Sequence, residues 1–492
     1  MGLKLKDHIT LKDYQEDAVR FATSRQASLL SMKTGTGKSV CLIESCSRLL
    51  NQSLVKKAVI FVTKSALIEV RNDLETKLEY DDGSGFNPFI ITNDESLEEF
   101  YKNPDEDIAL LQYEKLNSIA LTLFFKCLTK YKTVVVSDES HKLKSPKALL
   151  TRSFVALRRA MPYVIMTTAT PLTSGILDLF YLIQILDSSI FKNKNAFMNA
   201  FVEVKMVKLW KKGGQYPEIV GYKNLEVLRE RIKPVCFDYY PKQDTEYIIH
   251  KTTIENTEDY LIASEGLMES KDAKIHAARL VDLQHVVDKS KEKIKLYLKA
   301  ISPVLKEGLI TYCHYHETVD VLTRVFDKLN LDYRVISGEV STKERIKIKE
   351  WFNSNPSNKI LLLTSAGSQS LNLQSVNNMF FYNVCSNFGS FSQAKGRIER
   401  LFSKHTAFKI HFIITELELN GKKTGTVDAY KYEMVSSYGE LTSTVLEANE
   451  VPKGQLQSFN KKLLSVFKKE YLWLTGKKPK KKNSEFGDKD FF

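Results

Sequence analysis

The sequence contains no C-x-x-C pair: Cys41, Cys46, Cys127, Cys236, Cys313 and Cys385 are scattered along the chain. That spacing argues against structural zinc and against a disulfide framework, and it fits a reducing compartment. No apolar run approaches the roughly 18 residues that a membrane span needs. The opening MGLKLKDH has none of the apolar h-region of a secretion signal. Its Met-Gly start fails as an acylation site, because Lys6 stands where Ser or Thr is required. Together these absences predict a cytoplasmic protein with no membrane partner.

What is present is 492 residues, roughly three units at about 150 residues per domain. Hydrophobic content of 43% and charge of 27% are those of an ordinary globular protein. Seventy-two basic against 59 acidic residues leave +13. Such a balance suggests a polyanionic partner, nucleic acid above all, although a solvated basic surface gives the same count.

The chain divides by its grammar. Over 1–188, short β-branched runs (AVIFVT, DIALLQY, TVVVSD, YVIMTT) alternate with helix-length segments, which predicts βαβ units and a parallel sheet. Over 296–445 the same rhythm returns in GLITYC, DYRVIS, KILLLTS, NMFFYN and FKIHFII. The fold class is therefore α/β, with two similar parallel-sheet domains in tandem. Between them, 189–295 reads as an inserted region: a β-hairpin turning at Gly213-Gly214, then charged helices. Residues 446–492 read as a basic C-terminal extension carrying GKKPKKK.

The stretch SMKTGTGKS lies between an apolar strand, QASLL, and an amphipathic helix, which is the setting of a phosphate-binding loop. Thr34, Gly35, Thr36 and Gly37 form the loop. Glycines let backbone N–H groups crowd around phosphate oxygens, and the helix start adds partial positive charge. Lys38 is placed for the β- and γ-phosphates and Ser39 for Mg²⁺, so ATP and Mg²⁺ are the expected ligands. Met32 replaces the first glycine of the full pattern.

In VVVSDESHKLKSP a buried strand ends in acids. Asp138 suits the metal and Glu139 suits the attacking water, with His141 a link to the neighbouring domain. A surface acid pair is the competing reading of these four residues by themselves.

With the loop, DESH and two further stretches in order, the chain resembles the superfamily-two helicases. TTATPL resembles their S/T-A-T element and QAKGRIER their Q-x-x-G-R-x-x-R element. DESHKLKSP and TPLTSGILDLFYLIQILD resemble the Snf-type branch of DNA translocases. Compact size without reader domains is most similar to the branch-migration helicases of large bacteriophages. The resemblance covers most of residues 10–415 and implies two RecA-like domains. It implies adenine contacts from Tyr14 and Gln15, coupling of the ATP state to the domain interface through Thr168 and Thr170, and arginine fingers at Arg397 and Arg400 beside Gln393. These last three fall at i, i+4 and i+7, one face of a helix.

Further expectations concern the track. Lys64, Ser65, Tyr113, Ser365 and Ser368 stand after strands, where small hydroxyl groups and backbone N–H approach phosphates. Lys211 and Lys212 of the hairpin are either a wedge at a DNA junction or the protective lysines of an edge hairpin. The expected partner is DNA, branched, forked or duplex, with RNA second, and the protein is expected to act as a monomer. A non-catalytic protein on a decayed ATPase frame would have lost the loop lysine, the acids or the fingers, and all remain.

Overall fold

Runs such as Lys57–Val62 and Thr133–Ser137 have no polar face, so they are stable only inside a sheet covered on both sides. In the computed structural model, which describes residues 2–173, 175–208, 215–241, 243–269, 273–365, 373–399 and 403–447, both are central strands of a seven-stranded sheet. Its order is Cys236–Tyr239, Ala27–Met32, Tyr163–Thr168, Thr133–Ser137, Lys57–Val62, Ile108–Gln112 and Phe89–Ile91. Every neighbouring pair is parallel. Side chains alternate between two cores, as the pleat requires. Val59, Phe61 and Val135 pack with Phe124 and Phe154 on one face. Ala58, Ile60, Val134 and Val136 pack with Leu42 and Cys46 on the other.

The second sheet runs Asp244–Thr253, Ala407–Leu419, Asn378–Phe381, Leu309–Cys313, Lys359–Thr364 and Asp332–Ile336. Its strands are parallel except for Lys422–Gly425, which folds back on Ala407–Leu419. The chain is thus two parallel-sheet α/β domains in tandem. Among the described residues no helix is long and apolar enough to cross a membrane.

The region expected as an insertion and linker at 189–295 also supplies a strand to each sheet. Cys236–Tyr239 is the edge strand of the first sheet and Asp244–Thr253 the edge strand of the second. Both are amphipathic edge strands with no continuous apolar run, so neither announces itself. The crossover between domains therefore lies between Tyr239 and Asp244. The hairpin does form, pairing Val202–Lys208 with Gln215–Tyr222 apart from both sheets. Its turn lies outside the described residues, and so does the extension from 448 onward.

Helix Val427–Glu447 corrects a second boundary. Val435 packs into the second domain, while Tyr438, Leu441 and Val445 enter the core of the first beside Leu225 and Leu228. One helix thus holds apolar ground in both domains.

The same helix starts at a buried ionic cluster. Lys293 has no exposed side-chain surface, and its Nζ lies 2.9 Å from Asp288 and 2.7 Å from Asp428. Gln284 donates to both carboxylates. Thr318 and Asn383 complete Asp288. The cluster joins four helices of the second domain, and removing one partner of such a group leaves uncompensated buried charge. Lys293→Met should cost about 3–5 kcal/mol, read as a lower urea midpoint. An unchanged midpoint would show that the cluster carries no net stability.

Candidate active site

The phosphate-binding loop forms where the strand Ala27–Met32 gives way to the helix Lys38–Asn51. Gly35 and Gly37 have φ of 83° and 84°, a left-handed geometry that other residues adopt at a cost. The helix begins at Lys38, so its first N–H groups face the loop. Lys38 Nζ reaches back over the loop to the carbonyls of Met32 and Lys33, at 3.2 and 3.4 Å.

Tyr14 and Gln15, expected at the adenine, meet the phosphate loop itself. The Tyr14 hydroxyl and the Gln15 amide both donate to the Thr36 carbonyl, each at 3.0 Å. Gln15 is buried and also accepts from Lys12 N. Tyr14 stacks on Tyr239 with ring centres 3.9 Å apart. Their polar atoms brace the loop from behind, and neither residue lines the cleft.

The acids stand at the carboxyl end of the strand Thr133–Ser137, where ligands of open parallel sheets bind. Asp138 accepts a hydrogen bond from Thr167 Oγ1 at 2.8 Å. Burial, and then the charge of neighbouring Glu139, push the Asp138 carboxyl up to about 6. Glu139 goes the other way, to about 2. Burial opposes its charge, but the His141 hydrogen bond and the Lys38 and Arg397 cations outweigh it. Glu139 has φ 50°, a left-handed conformation uncommon for a residue with a Cβ and concentrated at functional sites.

From this pair a chain of contacts leads to the T-A-T loop. His141 Nδ1 lies 3.2 Å from Glu139 Oε2 and 3.3 Å from Thr168 Oγ1. Thr168 Oγ1 in turn accepts from Thr170 N at 3.0 Å. Farther along, Lys144 bonds Thr173 Oγ1 and pairs with Asp178. The acid box and the stretch after the T-A-T loop are therefore fastened at two points.

The second domain closes the cleft. A cavity of about 490 Å³ is lined by Lys38, Ser39, Asp138 and Glu139 on one side and by Gln393 and Arg397 on the other. Gln374, which carries no motif signal, also lines it. The helix expected to carry Gln393, Arg397 and Arg400 on one face stops at Lys395. Gly396 caps it and abuts the loop: a Cβ there would sit 2.6 Å from Thr34 Cβ. Arg397 is consequently delivered from a turn and is almost fully buried.

Of the remaining expectations, Tyr113 is corrected. It is buried, and its hydroxyl lies 2.6 Å from Ser137 Oγ and 2.7 Å from Asp138 O. It holds the acidic turn and offers nothing to a strand of DNA. Lys64 and Ser65 are exposed after the strand Lys57–Val62, and Ser65 lines the ATP-side cleft. Ser365 follows the strand Lys359–Thr364. Arg400, Ser368, Lys211 and Lys212 lie outside the described residues. Tyr240 is a residue that no motif flags: its hydroxyl bonds Ser31 Oγ at 2.7 Å and Ala169 O at 3.0 Å. It ties the crossover to both the loop strand and the T-A-T element.

Ser39 and Asp138 share the cleft and fit Mg²⁺. That ion takes one or two protein oxygens and completes its shell with phosphate and water.

Comparison with known proteins bears on this geometry. The family described as type III restriction enzyme, res subunit, matches residues 8–173, and the helicase conserved C-terminal domain matches 292–401. An uncharacterized ATP-dependent helicase of Mycoplasma pneumoniae is 23% identical over 89% of this chain and 43% of its own length. The SWI/SNF-related matrix-associated actin-dependent regulator of chromatin subfamily A-like protein 1 of Xenopus tropicalis is 22% identical over 61% of this chain and 32% of its own. The DNA repair and recombination protein RAD54-like of Gallus gallus is 20% identical over 89% and 68%. The chain thus spans less than half the length of the first two. The SWI2/SNF2 ATPase core of Sulfolobus solfataricus, solved with dsDNA, covers 95% of this chain and 97% of its own at 18% identity and a TM-score of 0.40, too weak a likeness to carry the fold by itself. Two helicase family models matched in order on one chain, on domains that face each other across a phosphate loop, make the chain similar to superfamily-two helicases of the Snf2 type.

Proposed function

We propose that this chain is an ATP-driven DNA translocase whose output is helicase action or branch migration at forks and four-way junctions. The observation that carries the proposal is the convergence of Lys38, Asp138, Glu139 and Arg397 on one cleft between two domains. The net charge of +13 and the recombination and repair name of the RAD54-like relative favour DNA as the polyanion. The resemblance to phage branch-migration helicases favours branched DNA.

In this mechanism the loop N–H groups and Lys38 hold the β- and γ-phosphates of ATP. Bound Mg²⁺, held by Ser39 and Asp138, would neutralise phosphate charge. Glu139 accepts a hydrogen bond from the attacking water and so orients it. Arg397 approaches the transferring phosphoryl group from the second domain, and Gln393 lines the same wall. Hydrolysis breaks the link between the γ-phosphate and ADP, and release of that phosphate takes away the charge that held Arg397, so the domains part. Thr168 and Thr170 carry that change through His141. Two domains gripping one strand and opening alternately convert the cycle into stepping.

A second reading has its own support: relatives named as CHD3-type chromatin-remodeling factors suggest a duplex translocase that displaces proteins without separating strands. RNA stands third.

Lys38→Ala should abolish DNA-stimulated ATPase, and Glu139→Gln should lower kcat by about 10²–10⁴-fold while still binding ATP. Arg397→Ala should cost about 10³–10⁵-fold. Normal turnover in the first two variants would remove the site assignment. Stimulation by four-way and forked DNA should exceed that by linear duplex, with junctions migrated and a salt slope of roughly −0.9 per phosphate contacted. Equal stimulation by linear duplex, with blocks displaced and junctions left intact, would select the second reading.

A further inference from the structure

Glu399 lies two residues past the finger Arg397 and has no exposed side-chain surface. Buried carboxylates are kept only where something compensates them, and here the compensation comes from three places. Thr245 Oγ1 donates to Oε1 at 2.8 Å. Lys395 Nζ stands 3.2 Å from Oε2 and itself donates to the Tyr247 hydroxyl at 2.8 Å. The third partner belongs to the other domain: Lys33 Nζ, on the phosphate loop, lies 3.4 Å from the same Oε2.

Lys33 is the residue from which the loop is hung. Its carbonyl accepts from Thr36 N, Thr36 Oγ1 and Lys38 Nζ. Its amide donates to Tyr239 O at 3.0 Å. Tyr239 ends the last strand of the first sheet, and Thr245 stands near the start of the first strand of the second. The contacts therefore close a ring: Lys33 to Tyr239, through the crossover to Thr245, to Glu399, and back to Lys33. The ring sits at the pivot of the two domains, and Gly396 against Thr34 lies beside it.

We propose that the Lys33–Glu399 pair is a positioning device that sets the register of the second domain on the phosphate loop, and thereby the place of Arg397 against the transferring phosphate. Neither side chain touches the phosphate in this role. Each acts through the finger. A pair at the pivot constrains the path of closure without opposing closure itself, since its two ends stay together while the far side of the cleft opens. A carboxylate needed only for folding the second domain would be satisfied by Lys395 and Thr245 and would have no reason to meet the loop.

The inference rests on the ATPase reading, so the test must separate the two. In the full chain, kcat, KM and the affinity for a fluorescent ATP analogue are measured for Glu399→Gln, Lys33→Met, their double variant and Lys33→Arg. Melting curves confirm that each variant is folded. Each neutralising single should lower kcat by on the order of 10- to 100-fold, the scale of a catalytic group misplaced by about an ångström. Nucleotide affinity should stay within about twofold, and the double variant should be no worse than the poorer single, the signature of one shared interaction. Lys33→Arg should retain most turnover. Losses that multiply in the double variant, an affinity that falls in step with kcat, or an unchanged kcat would each overturn the proposal. Wild type that hydrolyses no ATP would instead overturn the parent reading. Wild-type turnover lost in Lys38→Ala but kept in Glu399→Gln would overturn only this one.

Discussion

The rest of the structure depends on one backbone hydrogen bond, from Lys33 N to Tyr239 O at 3.0 Å. It makes the strand that leaves the first domain a continuation of the sheet that carries the phosphate loop. Nucleotide loop and interdomain crossover are therefore one piece of hydrogen-bonded structure, and a shift in either is felt by the other without any long relay. Tyr14 stacked on Tyr239 and Tyr240 bonded to Ser31 and Ala169 stiffen the same place. Packed interfaces of this kind move between discrete arrangements and do not deform continuously. That is the property an ATP-driven two-domain cycle needs.

Against that stiff pivot, the acidic turn is held in an unfavourable shape. Glu139 in the left-handed region costs on the order of 1–3 kcal/mol, and the surroundings compensate. Ser140 Oγ donates to Thr167 O, Lys142 N donates to Glu139 O, and Tyr113 secures Ser137 and Asp138 from below. The turn places two adjacent carboxyl groups in one cleft, with Asp138 raised and Glu139 depressed. A regular strand end would send them to opposite faces of the sheet.

The strands of both sheets and the phosphate loop were legible because their signals are local. Ala58–Val62 is an unbroken apolar run, and GKS sits between a strand and a helix. The edge strands Cys236–Tyr239 and Asp244–Thr253 were not, since one solvated edge and mixed polarity erase the period. Tyr113 was misread for a related reason. A tyrosine after a strand looks the same whether its hydroxyl meets solvent or a buried carbonyl, and only the packing of Phe61 and Phe124 around it decides. Tyr14 and Gln15 carry a second role that spacing does not announce, since their hydrogen bonds to the Thr36 carbonyl appear only once the loop is folded. Lys33 and Glu399 had no signal at all: their meeting depends on two domains being folded and docked.

Thr167 and Thr168 show how little sequence a coupling device requires. Successive residues of a strand point to opposite sides, and at this strand end the alternation is put to use. Thr167 turns its hydroxyl to Asp138, while Thr168 turns its own to His141 and the Thr170 amide. One dipeptide thus touches Asp138 with one side chain and the histidine beside Glu139 with the other. The acid box and the T-A-T loop are fastened to each other there, and Lys144 on Thr173 and Asp178 fastens the segment beyond. Lys144, from the lysine pattern that follows the acids in sequence, is therefore a structural link from the acid box to Asp178 on the helix Ile176–Leu186.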